Sequence, residues 1–345
     1  MRISMRNVFD YTVDELTEIY MNEFNQKKYR AVQTYKWLYQ ENVDDFFKMS
    51  DLPLDLRKSL NENFNIITLE KEQVKLSNDG TTKFLFKLAD GAAVETVLMK
   101  YNFGNSVCVS SQVGCRMKCD FCASSKLSFE RNLTSGEIVQ QIIMASRHIG
   151  EKISNIVFMG IGEPFDNYDN VMRAIKILND PHGLNIGARH ITVSTSGLVP
   201  QIMRFADSGI QANLSISLHA TSDEMRDKLM PVNKAYNMKT LLEACKKYIE
   251  KTHRRITFEY AIMYGVNDTI KDACKLADLL EGMLCHVNLI PVNAVEGAGY
   301  RRAPQNVMMG FRDALNNRGI TATVRRELGS DVDAACGQLR RQYFE

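Results

Sequence analysis

Cys115, Cys119 and Cys122 fall within one short run, Cys115-Arg-Met-Lys-Cys119-Asp-Phe121-Cys122, with an aromatic residue just before the last thiol. Nothing else in the chain constrains its fold as tightly, because the loop must turn three sulfurs toward one point. Three thiolates this close can hold one face of an iron–sulfur cluster. A four-iron cluster needs four ligands, so three from protein leave one iron open to another molecule. The competing reading is a zinc site completed by a histidine or by Cys108, since short-spaced cysteines also bind zinc. The thiols alone leave both open.

The chain has 345 residues, of which 45% are hydrophobic, enough for one large core and a small accessory domain. No run of about 18 apolar residues is present, so no membrane span is expected. Met1-Arg-Ile-Ser-Met-Arg is not followed by an apolar stretch, so no secretory signal is expected. The eight cysteines then point to metal or redox chemistry in a reducing, cytoplasmic setting rather than to structural disulfides. Cys245, Cys274 and Cys285 lie among apolar residues and read as small buried side chains. A net charge of +2, from 43 Lys and Arg against 41 Asp and Glu, does not by itself indicate a nucleic-acid partner. Local basic groups are Lys27-Lys28-Tyr29-Arg30, His253-Arg254-Arg255, Arg301-Arg302 and Arg325-Arg326.

Residues 1–65 read as a helical accessory domain. Thr12 with Glu15 forms a capping-box pattern, and Pro53 opens a later short helix. Residues 66–104 read as an antiparallel strand extension, with turn signals at Asn78-Asp79-Gly80 and Asp90-Gly91 between alternating runs. Glu95 lies in that extension and, by residue type, reads as a solvent-facing strand position. From residue 105 onward strands and amphipathic helices alternate, which implies a parallel sheet. The expected fold class is therefore α/β, an incomplete (β/α)6-type barrel over 105–345. A flat doubly wound sheet is the alternative. In either case chemistry belongs at the C-terminal strand ends.

The motifs obey that rule. The thiol loop follows the first barrel-type strand, and Gly160-Ile-Gly162-Glu163-Pro164 follows Ile156-Val-Phe-Met. That second motif is too short for a dinucleotide loop. Its glycines admit close backbone approach, and one carboxylate suits the amino group of an amino-acid-like ligand. Ser194, the segment Ser217-Leu218-His219 and Asn293 also stand at strand ends, whereas His190 and His286 start strands and read as structural.

The Cys-x3-Cys-x2-Cys loop, with the aromatic before its third thiol, resembles the cluster loop of radical S-adenosylmethionine (SAM) enzymes. The longer Cys108-Val-Ser-Ser-Gln-Val-Gly-Cys115 and the distant Gly329-Ser-Asp-Val-Asp-Ala-Ala-Cys336-Gly-Gln-Leu339 are similar to the RlmN/Cfr branch of RNA adenine methyltransferases. The resemblance runs from about Val94 to Leu339 and extends weakly into the N-terminal part. One departure is Ala123-Ser-Ser125 after the third thiol, where much of the family has Ala-Thr-Gly; no ligand is lost by it.

The resemblance implies the partial barrel and a 4Fe-4S cluster on Cys115, Cys119 and Cys122 with SAM on the open iron. It further implies SAM contacts from Gly162, Glu163, Ser194, Ser217, Leu218, His219 and Asn293. Cys336 is the expected S-methylcysteine. Cys108 is the expected resolving thiol, forming a transient disulfide with Cys336, and Glu95 or Cys108 the proton acceptor. The implied reaction consumes two SAM and methylates C2 of an adenosine in 23S ribosomal RNA and in a tRNA anticodon loop. An electron donor of the flavodoxin or ferredoxin kind is implied, and a monomer is expected. The 1–65 domain would help grip RNA; separately from the resemblance, Arg301, Arg302, Arg325 and Arg326 lie near the motif-rich C-terminal part and suit phosphate contacts. Three alternatives stay beside this reading: C8 methylation in the manner of Cfr, a radical SAM enzyme acting on another substrate, and a non-catalytic zinc-stabilised RNA-binding protein.

Overall fold

The computed structural model describes every residue except 1–4, 67–68, 127, 294–298, 327, 330 and 332–345. The chain begins with β1 (Arg6–Asn7), followed by helices α1 (Val13–Asn22), α2 (Lys28–Tyr39) and α3 (Leu54–Asn63), and β2 (Phe64–Asn65), which pairs in parallel with β1. The Thr12 hydroxyl accepts from the Glu15 amide while the Glu15 carboxylate accepts from the Thr12 amide, so the expected capping box starts α1. Helices α1 and α2 pack together, and Leu16, Tyr20, Tyr35 and Leu38 are all buried in a core continuous with that of the barrel. The Tyr20 and Thr34 hydroxyls share a hydrogen bond of 2.6 Å inside it. Asp10 Oδ1 accepts from the Gly136 amide at 2.7 Å, and the Arg147 guanidinium donates to Asn42. These bonds dock the helical part onto α4 (Ser135–Ile149).

The next four strands are antiparallel neighbours: β3 (Glu70–Leu76), β4 (Thr82–Lys87), β5 (Ala93–Tyr101) and β6 (Gly104–Cys108). Gly80 and Gly91 supply the positive φ their turns require. The short strands β7 (Gln112–Val113) and β8 (Arg131–Asn132) pair antiparallel on either side of the thiol loop. Alternation then sets in: α4, β9 (Ile153–Phe158), α5 (Tyr168–Asn179), β10 (Ile191–Thr195), α6 (Val199–Asp207), β11 (Asn213–Ser217), α7 (Asp223–Leu229), α8 (Met238–Thr252), β12 (Ile256–Ile262), α9 (Ile270–Leu280), β13 (Cys285–Pro291), α10 (Gln305–Asn317) and β14 (Ala322–Val324).

All of the longer strands belong to one ten-stranded sheet, ordered β14-β13-β12-β11-β10-β9-β6-β5-β4-β3. From β6 through β9 to β14 the pairing is parallel throughout. Among the described residues the barrel does not close, because β14 and β3 are both edges. The antiparallel extension is therefore not a separate layer. Strand β6 is both its last member and the first barrel strand, which carries Cys108 from the extension into the barrel. Cys245 is buried as expected, whereas Cys274 and Cys285 are only half-buried, since α9 and β13 near their starts face solvent on one side. Among the described residues no helix is long and apolar enough to cross a membrane.

Candidate active site

The thiol loop is closed at its base by the β7–β8 pair, with the Glu130 amide donating to the Val113 carbonyl at 2.8 Å. Gly114 has φ +78°, and a Cβ there would lie 2.0 Å from the Ser128 carbonyl oxygen, so no other residue fits. The Ser125 hydroxyl lies 2.6 Å from the Cys119 carbonyl and 2.7 Å from that of Cys122, folding the chain around the two sulfurs. The far side of the loop is held by the Asp120 amide on the Leu229 carbonyl and by the Tyr300 hydroxyl on Asp120 Oδ2 at 2.6 Å. Cys115, Cys119 and Cys122 all line one cavity of about 530 Å³, and Cys108 lines it too.

Burial, with the neighbouring Cys122, pushes the Cys115 thiol up to about 12; burial, with Cys122 and Cys115, pushes Cys119 well above its ordinary range. Three thiolates crowded out of water repel one another. A cationic group bound among them removes that penalty by taking the place of the protons. The Ser124 hydroxyl, buried on the same cavity wall, has no hydrogen-bond partner among the described residues. The donor set and this polar atom fit an iron–sulfur cluster with a polar ligand beside it.

Across the cavity, Gly160 and Gly162 press the β9 loop against the thiol-bearing segment. A Cβ on Gly160 would meet the Val109 carbonyl at 2.6 Å, and one on Gly162 (φ +106°) would meet the Gln112 side chain at 2.6 Å. Glu163, which follows, is 3% exposed. Its Oε1 accepts from the Phe165 amide at 3.0 Å and its Oε2 from the Ser196 amide at 2.7 Å, so one carboxylate ties the end of β9 to the end of β10. Burial raises its pKa, and the two amide donors work in the opposite direction.

Ser194, Ser217, His219 and Asn293 all line the cavity, as do Gly162 and Glu163. His219 has φ +56°, and its Nδ1 accepts from the Ala261 amide at 2.9 Å, which leaves Nε2 as the protonated nitrogen. Phe121 meets its ring edge-on, with centroids 4.9 Å apart. Leu218 differs from these. Its side chain is in the core and its carbonyl accepts from the Arg226 guanidinium.

Two further buried charged groups at these strand ends carried no signal in the sequence. Arg226 on α7 has no exposed surface, and its guanidinium donates to the carbonyls of Ser196 (2.6 Å), Ser217 (3.1 Å) and Leu218 (3.2 Å) and to Asn233 Oδ1 (3.1 Å). Glu259 on β12 is a buried cavity-lining carboxylate whose Oε2 accepts from Asn288 at 2.8 Å. Alternation along β12 marks it only as inward or outward.

Glu95 corrects its residue-type expectation. It is buried, not solvent-facing, and its Oε2 lies 3.1 Å from the ammonium of Lys83, itself without exposed surface. It shares the β5 face of the cavity-lining Val97 but does not itself line the cavity. Cys336 lies outside the described residues. The approach to it is described: Leu328 and Gly329 line the cavity, the Gly329 amide donates to Asp79 Oδ2 at 2.8 Å, and Asp331 accepts from the Ser77 hydroxyl and the Asn78 amide. Of the expected basic residues, Arg302, Arg325 and Arg326 line the cavity, while Arg301 lies over the Tyr264 ring and Arg30 is bonded to Gln33 and Asp51.

Residues 109–277 match the model of the radical SAM superfamily, and residues 6–66 match the ribosomal RNA large subunit methyltransferase N-terminal domain. The chain is 52% identical over 342 residues to a probable dual-specificity RNA methyltransferase RlmN of Thermoanaerobacter sp. (strain X514), covering 99% of each chain. It is 53% identical over 337 residues to the protein of the same name from Geobacillus kaustophilus (strain HTA426), covering 97% of this chain and 92% of that one. The crystal structure of a radical SAM methyltransferase from Sphaerobacter thermophilus superposes with a TM-score of 0.92 at 44% identity, over 96% of this chain and 98% of that one. The thiol loop, the open barrel and the helical N-terminal part thus occur together along a full-length match, and the chain belongs to the RlmN family of the radical SAM superfamily.

Proposed function

We propose that this protein is a radical SAM RNA methyltransferase that methylates C2 of an adenosine in 23S ribosomal RNA and an anticodon-loop adenosine in tRNA. The observation that carries the reading is the single cavity on which the three loop thiols, Glu163 and Cys108 converge, with Leu328 and Gly329 along its wall. In this reading Cys115, Cys119 and Cys122 hold a 4Fe-4S cluster. Glu163 and the backbone of the Gly160–Gly162 turn receive the amino group of SAM, and Ser194, Ser217, His219 and Asn293 surround the rest of it. When bound, cluster and SAM together supply one-electron cleavage of a carbon–sulfur bond.

The chain's own residues supply the remainder. Adenine C2 is electron-poor and does not act as a nucleophile, so the methyl group is first placed on a thiol, that of Cys336. After hydrogen is taken from that S-methyl group, the resulting carbon centre adds to C2 and tethers the RNA to Cys336. Glu95 accepts the proton that leaves C2, or Cys108 does and gives it up before acting as a thiolate. The unpaired electron leaves the adduct, balancing the one spent at the carbon–sulfur cleavage, and the Cys108 thiolate attacks the Cys336 sulfur: the sulfur–sulfur bond forms as the sulfur–methylene bond breaks, and the released methylene takes up a proton to become the methyl group of the RNA. Cytoplasmic reductants reopen the disulfide for the next turnover. The arginines lining the cavity suit phosphate contacts.

The test is nucleoside mass spectrometry after anaerobic reconstitution with iron, sulfide, SAM, a reductant and a fragment of the peptidyl-transferase region of 23S ribosomal RNA. A 2-methyladenosine product that disappears in Cys336→Ala and Cys119→Ala is expected. 8-Methyladenosine would reassign the target carbon, and SAM cleavage without any methylated adenosine in ribosomal RNA or tRNA would overturn the substrate.

A further inference from the structure

Val97, Met99 and Tyr101 alternate along β5 and so share one face, the face on which Val97 stands opposite Cys108 in the β5–β6 ladder. All four line the cavity. They form an apolar lane that starts at the buried Cys108 thiol and runs outward along β5 for about 14 Å, at the usual rise per strand residue. The lane ends at the β5–β6 turn. There Phe103 lies parallel to Tyr101, with ring centroids 4.8 Å apart and planes 12° from parallel. Phe103 is 71% exposed: one ring face covers Tyr101 and the other is open to water.

The pair is held in place. The Tyr101 hydroxyl reaches back to Met99 Sδ at 3.7 Å, and Gly104 (φ +124°) packs so closely that a Cβ would lie 2.4 Å from Ser154 Oγ. Arg302, Arg325 and Arg326 line the same cavity. A flat ring open on one face, together with cations along the same cavity, is complementary to single-stranded nucleic acid. Bases stack on aromatic faces, and phosphates meet arginines.

We propose that Tyr101 and Phe103 are a stacking platform for an unpaired nucleobase one or two nucleotides from the target adenosine, a proposal that rests on the RNA methyltransferase reading. The platform keeps the strand single beside the reacting base and sets its direction of entry toward Cys108. Phe103, unlike Tyr101, does not line the cavity shared by the thiol loop and Glu163, so its loss is expected to act on RNA binding and to leave cluster content and SAM cleavage intact.

The experiment is a two-by-two affinity measurement on the reconstituted protein with the 23S fragment, wild type against Phe103→Ala. Intact RNA is compared with RNA abasic at each of the two nucleotides on either side of the target. Phe103→Ala is expected to weaken intact RNA about tenfold. One abasic position is expected to weaken wild type by a similar factor and to have no further effect on Phe103→Ala, because both changes remove the same contact. Phe103→Trp is expected to bind as wild type. Affinity of Phe103→Ala equal to wild type, or losses that simply multiply at every abasic position, would overturn the platform. Absence of RNA binding by the wild-type protein would instead overturn the RNA reading itself.

Discussion

Arg226 donates to the Ser196 carbonyl at 2.6 Å across the ends of two barrel strands, from a position with no exposed surface. The same guanidinium holds the Ser217 and Leu218 carbonyls, so one side chain spaces the two segments that would surround SAM. Burial pulls its pKa down to about 10, and the nearby Cys119, Cys245, Asp223 and Asp227 act to raise it, so it stays protonated at neutral pH.

Replacing Arg226 by Met leaves three carbonyls without that donor, two of them on residues that line the cavity. Loss of such a buried charged donor costs about 3 kcal/mol or more. We expect Arg226→Met to lower stability by that order in urea titrations. Arg226→Lys should recover part of the stability but not SAM affinity, because an ammonium cannot reproduce the fork that spans β10 and β11. Equal SAM affinity in Arg226→Lys and wild type, measured by calorimetry, would remove its spacing role.

Lys83 and Glu95 present a different case, two opposite charges on neighbouring strands with almost no exposure. Removing one partner of a buried pair leaves the other uncompensated, at a cost of about 3–5 kcal/mol, while replacing both by apolar residues is often close to neutral. Lys83→Met alone should therefore destabilise more than Lys83→Met combined with Glu95→Leu. If Glu95 is the proton acceptor, Glu95→Gln should keep cluster content and SAM cleavage and lose methylated product. Additive effects in the double variant would show that the pair does not act as a unit.

How much of this could be read beforehand depends on how local each signal is. Thr12 and Glu15 lie three residues apart, and their capping box is visible in the sequence because both partners are in one helical turn. Thiol spacing, the turn glycines and the β/α rhythm are local in the same sense. Arg226 is not: it sits in Asp223-Glu-Met-Arg-Asp-Lys, a run that looks like an exposed helix, and its acceptors arrive from strand ends elsewhere in the chain. Glu95 misled for the same reason. Its burial follows from Lys83 on the adjacent strand, and only the β4–β5 register brings the two together. Phe103 gave no signal because its meaning lies in the distance from Cys108, fixed by the β5–β6 pairing.

Glu163 is held by two backbone amides, at 3.0 Å from Phe165 and 2.7 Å from Ser196, which need an acceptor on both oxygens. Gln would turn one acceptor into a donor facing an amide. Glu163→Gln is expected to weaken SAM binding about tenfold to a hundredfold, by the loss of a charge-assisted contact and the displacement of the β10 end. Glu163→Asp keeps the charge and should retain more affinity. Unchanged affinity in Glu163→Gln would mean that the carboxylate serves only to join the strands.

His219 offers a pH-dependent check on the same rim. Burial, with a smaller contribution from Arg226, lowers its pKa from 6.5 to about 3, and its Nδ1 lone pair is already taken by the Ala261 amide. Between these values the unfolded chain binds a proton that the folded chain does not. The stabilising contribution is therefore complete above pH 6.5 and is lost progressively as pH falls toward 3. By pH 5 the loss is about 2 kcal/mol, the linkage expected for one histidine that protonates only on unfolding. His219→Gln presents an amide oxygen to Ala261 and does not titrate. The difference in unfolding free energy between wild type and His219→Gln cancels the titration of other groups. It should shift against the wild type by about that amount between pH 7 and pH 5. Parallel curves would mean that His219 takes up its proton in the folded protein, which would break the Ala261 bond and leave a cation beside the place assigned to SAM.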